Sequence, residues 1–274
     1  MTEGIDLGGQ VAVVTGGGGG IGGGTAYALA ASGAHVIVAE IDEQRAKDNV
    51  ELIRSAGHHA DAVVVDVTSQ HDVDRLATTV IEQHGGADIL VNNVGHHLGP
   101  QRFADSDAEH WGALHAINLF HVFACSRALL PGMIERGQGS IVNVTSVEGL
   151  RGYPVDPVYG AYKAAVAHFT RCLALEVAPY GVRVNAIAPD VTQSLQVDYE
   201  TTVPEDLRDH WRVWVPVGRV GQAEDSADVI VFLASSLSRF VTGHVIPTDG
   251  GTLAAGGWFR TVGRGRWTNR PRNP

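Results

Sequence analysis

Between Ser146 and Lys163 the chain reads Ser-Val-Glu-Gly-Leu-Arg-Gly-Tyr-Pro-Val-Asp-Pro-Val-Tyr-Gly-Ala-Tyr-Lys. Tyr159 and Lys163 are four positions apart, which puts both side chains on one face of a helix. Ser146 follows Ile141-Val142-Asn143-Val144, an apolar run that reads as a buried strand. A hydroxyl, a phenol and an ammonium brought together can move a proton on and off a substrate oxygen. Lysine stabilises a phenolate, not a neutral phenol, so Lys163 is expected to lower the Tyr159 pKa towards working pH. Tyr-x-x-x-Lys alone is a common spacing and also arises by chance on helices. Its meaning depends on what the rest of the chain places beside it.

The surrounding pattern alternates strands and helices. Val11-Ala12-Val13-Val14 is a β-branched run that ends in Thr15 and a glycine stretch from Gly16 to Gly24, interrupted only by Ile21. A helical pattern follows from Thr25 to Ser32. Strand, glycine turn and helix together make a pyrophosphate cradle: glycines let the backbone approach, and the helix start offers N–H groups and a positive dipole end. Gly23 and Gly24 fall in the opening turn, where each costs roughly 1 kcal/mol against alanine. The next strand, 34–39, ends at Glu40, where a dinucleotide fold places the acid that bonds the adenosine ribose. A carboxylate there repels a 2′-phosphate, and no Arg or Lys is seen in the glycine turn or just after Glu40. This points to NAD over NADP; the alternative is an ordinary exposed acid at a strand end.

Asp42 reads as the N-cap of a helix to Ala56. Ala62-Val63-Val64-Val65 reads as a third buried strand closing at Asp66-Val67. Thr68–His84 is helical, with Leu76, Val80 and Ile81 on its apolar face. Asp88-Ile89-Leu90-Val91 is a fourth strand, ending in Asn92-Asn93-Val94-Gly95. A long helical pattern from Asp107 to about Glu135 contains Asn118, which among Ile117, Leu119 and Phe120 reads as a satisfied core residue. The Tyr159 helix spans 158–178. Val182–Ile187 is a strand before Pro189-Asp190, Gln222–Ser235 a helix, and Gly243–Ile246 a last strand before Asp249-Gly250-Gly251. Such alternation predicts an α/β fold: one Rossmann-like doubly wound parallel sheet of about seven strands with helices on both faces. Ligands in these sheets sit beyond the carboxyl ends of the strands. Glu40, Asp66, Asn92-Asn93 and Ser146 all fall at such ends. The stretch 190–215 has little regular pattern and carries Trp211 and Trp214. It reads as a substrate lid or as a helical excursion packed on the core.

Bulk properties narrow the class. The chain has 274 residues, 44% hydrophobic and 18% charged, as expected of a soluble protein with a full core. No linker divides it, so residues 1–255 are read as one nucleotide-binding domain and 256–274 as a tail. A net charge of −10 argues against nucleic-acid binding. No apolar run reaches the roughly 18 residues of a membrane span, and the N-terminus lacks signal-peptide features. Cys125 and Cys172 read as reduced core residues of a cytoplasmic protein. His58-His59 and His96-His97 have no third ligand at a zinc-like spacing, so no metal site is expected. His96 and His97 follow a strand end and are candidates for the substrate pocket. The tail carries Arg260, Arg264, Arg266, Arg270 and Arg272 and no acid. It either docks on the acidic body or a second subunit, or is a solvated end; Trp258, Phe259 and Trp267 favour docking.

These pieces, in order, resemble the short-chain dehydrogenase/reductase family over roughly residues 7–252. The matching motifs are Thr15-Gly16-x-x-x-Gly20-Ile21-Gly22, Asp66-Val67, Asn92-Asn93-Val94-Gly95, Asn118, Ser146, Tyr159-x-x-x-Lys163, Asn185-Ala186-Ile187-Ala188-Pro189 and Asp249-Gly250-Gly251. The resemblance implies that Tyr159 is the general acid/base, that Ser146 holds the substrate oxygen and that Lys163 binds the nicotinamide ribose. It implies that Asn118 supports a water linking Lys163 to solvent, replacing the core-residue reading. It assigns cofactor contacts to Gly16, Gly19, Gly20, Ile21, Glu40, Asp66, Val67, Asn93, Gly95 and Thr192, besides Tyr159 and Lys163. Tyr162 is the rival phenol but lies on another helix face. Asp190 stands where the family usually has glycine, and Val94 where it usually has alanine. The family is commonly tetrameric, with the Asn118 and Tyr159 helices in one interface.

The expected activity is hydride transfer between NAD and a small-molecule secondary alcohol or its ketone, with a bulky cyclic, terpenoid or steroid-like substrate suggested by the aromatic lid. A 3-oxoacyl thioester reductase or 3-hydroxyacyl dehydrogenase is the alternative within the family. A non-catalytic dinucleotide sensor is the alternative outside it, although such proteins usually have a broken catalytic set.

Overall fold

A computed structural model describes residues 4–257, 259–260 and 267–268. Its sheet is built from β1 (Val11–Thr15), β2 (His35–Glu40), β3 (His59–Val64), β4 (Ile89–Asn92), β5 (Gly139–Val144), β6 (Val182–Pro189) and β7 (Val245–Thr248). All neighbours are parallel, in the order β3-β2-β1-β4-β5-β6-β7. The chain starts in the middle, winds out to β3, then returns to β4 on the other side of β1. The β1–β4 boundary is therefore the switch point where an α/β sheet opens a crevice.

Helices cover both faces. On one face α1 (Gly20–Ala31), α2 (Glu43–Ser55) and α10 (Ala223–Ala234) bury Leu29, Ile53 and Ile230 against Val14, Val36 and Ile187. On the other, α3 (Gln70–His84), α5 (His121–Arg136) and α6 (Pro157–Val177) bury Leu76, Met133 and Leu173 against Val13, Leu90 and Ile141. Each such side chain contributes about 1.5–3 kcal/mol relative to exposure. The helix starts follow local chemistry. Asp42 accepts from the Arg45 N–H at 3.0 Å, and Asp156 accepts from the Tyr159 N–H at 3.1 Å, with Pro157 in the first turn of α6.

Several elements differ from the sequence expectation. β3 begins earlier than expected and is the sheet's edge, so alternate residues, Val64 among them, are exposed rather than buried. Ile81 lies on the exposed side of α3, and Cys172 on the outer side of α6, where its thiol meets His168 at 3.5 Å. The helix expected from Asp107 is α4 (Ala108–His115), a π turn over Ala116–Phe120, and α5. This continuous helical stretch is long and apolar enough to cross a bilayer, yet Leu114, Leu119, Val122 and Leu129 are buried in the protein. The stretch 190–215 holds three one-turn helices, α7 (Tyr199–Thr202), α8 (Glu205–Arg208) and α9 (Trp211–Trp214). They were too short to show a period.

After β7 comes α11 (Thr252–Ala255), then β8 (Phe259–Arg260) paired antiparallel with β9 (Trp267–Thr268). Phe259 stacks edge-on against Trp214, with ring centroids 5.6 Å apart. The start of the tail thus packs on its own chain's lid. Trp258, Arg264, Arg266, Arg270 and Arg272 lie outside the described residues.

Candidate active site

α1 begins without side-chain capping and without an acid in its first turn, which leaves its first N–H groups pointing at whatever fills the crevice. The turn before it exists only because it is glycine. Gly16 and Gly20 have positive φ, at 63° and 54°. A Cβ on Gly22 would lie 2.1 Å from the Gly16 carbonyl and 2.4 Å from Asn93 Nδ2. Gly24 abuts Ala223, where a Cβ would approach that residue's own to 3.0 Å, so it lets α10 pack close to α1. Gly23 has no such contact. α1 starts at Gly20, five residues before the expected start, because the helix runs through these glycines.

The crevice is a cavity of about 580 Å³ beyond the carboxyl ends of the strands. It collects Gly16, Gly19, Gly20, Ile21, Glu40, Asp66, Val67, Asn93, Gly95, Ser146, Tyr159, Lys163 and Thr192, residues spread over the chain from the first strand to the lid. Asn118 alone of the expected set is not in its wall. It lies fully buried beneath, in the π turn. Its Nδ2 donates to the His96 and Leu114 carbonyls at 2.8 and 3.0 Å, and its Oδ1 accepts from the His96 N–H at 3.1 Å. A π turn turns a side chain off the ordinary helix register, and here it frees Asn118 to pin the loop carrying His96. His96 and His97 both line the cavity.

Asn93 is a brace. Its Nδ2 donates to the Thr15 carbonyl at 3.0 Å and its N–H to Thr15 Oγ1 at the same distance, tying the glycine turn to β4. Asp66 closes a tight turn, accepting from the Thr68 N–H at 2.9 Å and its hydroxyl at 2.7 Å. Thr192 is held in the wall by a bridge to Gly221. Glu40 is buried and accepts from the Gly18 and Ile41 N–H groups at 3.1 and 3.0 Å. Arg45 also reaches it, at 3.2 Å, and lines the cavity. That corrects the sequence reading, which found no cation near Glu40: Arg45 lies five residues on, and the first turn of α2 folds it back.

Ser146, Tyr159 and Lys163 meet at the inner end. The Ser146 hydroxyl accepts from the Glu148 N–H at 3.2 Å and donates to the Pro189 carbonyl at 3.4 Å. Lys163 Nζ donates to the Val144 carbonyl at 3.2 Å and sits 5.7 Å from the centre of the Tyr159 ring. The Thr145 hydroxyl bonds the Lys163 carbonyl at 2.6 Å, which locks α6 to the end of β5. Burial depresses the Lys163 ammonium to about 8. The Tyr159 phenol is pushed above its usual value, chiefly by burial. Neighbouring Tyr153, Glu148 and Asp156 add to this, while the Ser146 hydroxyl opposes it. The expected net lowering by Lys163 is absent in the free protein, because the ammonium faces a backbone carbonyl and loss of water dominates the phenol. Tyr162 instead donates to the Trp111 carbonyl at 3.3 Å and is outside the cavity wall.

Asp190 accepts from Arg151 at 3.1 Å and from the Thr252 hydroxyl, so it fastens the start of the lid to α11 and to the loop after Ser146. Arg151 also bonds Glu148 at 2.8 Å. These partners have no signature around Asp190 itself, because they come from segments far along the chain. The lid faces the cavity with Ser194, Leu195, Gln196, Val197 and Tyr199. Trp211 meets Tyr199 edge-on at 5.3 Å and Trp214 is exposed, and neither tryptophan lines the substrate space as expected.

The family profile described as enoyl-(acyl carrier protein) reductase matches residues 16–252. The 3-oxoacyl-[acyl-carrier-protein] reductase of Thermotoga maritima is 36% identical over 247 residues, covering 90% of this chain and 99% of that protein. The cis-4-hydroxycyclohexanecarboxylate dehydrogenase of Sinomonas cyclohexanicum is 37% identical, covering 89% and 97%. A solved 7α-hydroxysteroid dehydrogenase, complexed with NADH and 7-oxo glycochenodeoxycholic acid, superposes with a TM-score of 0.84 at 31% identity, covering 90% and 95%.

Proposed function

The chain belongs to the short-chain dehydrogenase/reductase family, and on that premise we propose that it is an NAD-dependent enzyme oxidising a bulky cyclic, terpenoid or steroid-like secondary alcohol, or reducing the ketone. The observation that carries the reading is the convergence of Ser146, Tyr159 and Lys163 on one cavity with the glycine turn and Glu40. The bare glycine cradle and the uncapped start of α1 fit a dinucleotide pyrophosphate. When bound, the nicotinamide supplies the acceptor or donor of hydride.

The residues handle the rest. Ser146 holds the substrate oxygen beside the phenol. Tyr159 takes the hydroxyl proton as the carbon gives up hydride, or returns it in the reverse direction. Burial raises the phenol's pKa in the free protein, and positive charge beside the ring, from Lys163 and from the oxidised cofactor when bound, would favour the phenolate. Gly95 makes room for this: a Cβ there would lie 2.6 Å from Lys163 Nζ and 3.1 Å from Asn118 Oδ1. Asn118 is read as the group next to Lys163 that steadies the proton's exit, with the His96 loop pinned across it.

NAD is favoured by the buried Glu40 carboxylate, which repels a 2′-phosphate. A cyclic alcohol is favoured by the apolar lid residues Leu195, Val197 and Tyr199 and by the substrates named for two of the relatives. A thioester substrate is the second reading, supported by the acyl-carrier relative. Against it, Arg151 is engaged by Glu148 and Asp190 rather than offered to a phosphate. A sensor without turnover is disfavoured by the intact Asn118, Ser146, Tyr159 and Lys163. The reading includes a cytoplasmic homotetramer. Its support is an apolar outer face of α5 and α6, where Phe123 and Phe169 meet edge to face at 4.6 Å with Phe123 exposed, and two unpaired cysteines.

The test is the appearance of reduced nicotinamide when purified protein, with NAD or NADP, meets steroid, terpenoid, cyclic, sugar and hydroxyacyl-thioester alcohols. Turnover of a cyclic or steroid alcohol with NAD supports the reading. Turnover only of thioesters, or only with NADP, overturns its substrate or cofactor half.

A further inference from the structure

At the opposite end of β2 from Glu40, roughly 17 Å away at ~3.3 Å per residue, three side chains from three elements converge. His35 opens β2, Asp61 lies on the edge strand β3, and His84 is the last residue of α3. His35 Nε2 and Asp61 Oδ2 are 2.6 Å apart, and His84 Nε2 is 3.8 Å from the same oxygen. One nitrogen or oxygen from each residue lies within 4.8 Å of the others. The two imidazoles are tilted towards each other, with centroids 4.6 Å apart. Neither histidine pair visible in the sequence supplies this set, because its members are brought together by the β2–β3 pairing and by where α3 stops.

Two features separate the cluster from an ordinary ion pair. The His84 side chain is only 14% exposed, and its Nε2 is buried without a hydrogen-bond partner. A buried imidazole nitrogen left unpaired costs about 1–3 kcal/mol, so a ligand for it is physically wanted. The carboxylate is also held from behind, since Arg54 donates to Asp61 Oδ1 at 2.5 Å and to the Ala60 carbonyl at 2.8 Å. An outer hydrogen bond of that kind fixes the orientation of a ligating carboxylate.

We propose that His35, Asp61 and His84 form a binding site for a divalent transition-metal ion such as zinc, outside the catalytic cleft. Two imidazole nitrogens and one carboxylate oxygen are a donor set that zinc accepts in a four-coordinate site, with water as the fourth ligand. Zinc–ligand bonds of about 2.0–2.2 Å place neighbouring donors about 3.4 Å apart, a value the 2.6 and 3.8 Å separations bracket. Binding requires the ligating imidazole nitrogens to be free of protons. The ion would clamp the edge strand and α3 to β2. This inference is independent of the catalytic reading.

The test uses the full chain, free of any affinity tag and stripped with chelator, titrated calorimetrically with zinc chloride. One equivalent should bind per chain and should raise the thermal transition. His84→Gln, His35→Gln and Asp61→Asn should each weaken binding at least about tenfold. Cys172→Ser, which removes the exposed thiol next to His168, should leave it unchanged. Lowering the pH from 7.5 to 5.5 should weaken it, since a ligating imidazole must give up its proton to bind the metal. His84 sits at a helix end, so His84→Gln is expected to fold; should it not, Asp61→Asn gives the same readout. The proposal is overturned by absence of saturable binding at one equivalent, by binding that survives both glutamine variants, or by binding that disappears with Cys172→Ser.

Discussion

Arg45 reaches back from the first turn of α2 and holds the Glu40 carboxylate at 3.2 Å in the wall of the cleft. An acid that repels a 2′-phosphate and a cation that attracts one therefore lie side by side in the wall of the cleft, and on the proposed reading the acid decides cofactor preference. Glu40→Ala should shift the ratio of NAD to NADP efficiency towards NADP by about tenfold or more, the value of one lost charge contact near 1.4 kcal/mol. Arg45→Ala should keep the preference for NAD and lower NADP efficiency further. Initial rates with both cofactors on both variants decide it; an unchanged ratio in Glu40→Ala removes Glu40 from the account.

Lys163 is buried, and its folded pKa is about 8 against an ordinary 10.5. Below pH 8 it is charged in both folded and unfolded protein, and the full cost of burying that charge is carried. Between 8 and 10.5 the unfolded chain binds more protons, so this group makes stability rise with pH. Lys163→Met, which removes the charge and keeps the volume, should therefore be relatively more stable at pH 7, by up to about 3 kcal/mol, with the gap closing towards pH 10. Denaturant melts of both proteins at pH 7 and 9.5 check it. A gap that widens with pH contradicts the assignment.

Two glycines near Lys163 should fail differently. A Cβ at Gly95 meets the flexible end of Lys163, so Gly95→Ala should displace the ammonium and lower kcat with the fold intact. A Cβ at Gly149 would lie 2.6–2.9 Å from the backbone of Lys163 and Ala164, which cannot yield. Gly149→Ala should therefore cost stability, about 1–3 kcal/mol. Thermal melts and kcat measured side by side separate the two.

Asp190 links Arg151 to Thr252 across the base of the lid. Asp190→Gly should release the lid and loosen α11, raising KM several-fold with a smaller change in kcat and a stability loss of about 1 kcal/mol. Steady-state kinetics on any accepted alcohol test this. An effect confined to kcat would place Asp190 in the chemistry rather than in the lid hinge.

Much of this was legible because each signal was local. β-branched runs of four to six residues, the glycine turn and Tyr159-x-x-x-Lys163 are readable where they stand, and their positions at strand ends predicted the cleft. The parts that escaped are made by contacts between segments. Arg45 required the turn of α2 to bring it home, and the π turn at Asn118 changes register without changing composition. Cys172 and Ile81 sit in apolar patterns whose outer side is a matter of packing, and the exposed α5–α6 face blurs the period there. The one-turn helices of the lid are shorter than any periodicity. His35, Asp61 and His84 have no spacing to recognise, because β2, β3 and α3 each supply one.

The most direct test of the account is Tyr159→Phe, assayed for NAD reduction on an alcohol that the native protein turns over, alongside NAD binding by fluorescence. Phenylalanine keeps the ring in contact with Tyr153, at 6.1 Å in the native structure, and removes only the hydroxyl to which the proposed mechanism assigns proton exchange. The account predicts a fall in kcat of about 10²–10⁴-fold with NAD affinity unchanged. Native turnover in this variant would contradict it, and Tyr159 would then have to be read as a wall of the cleft.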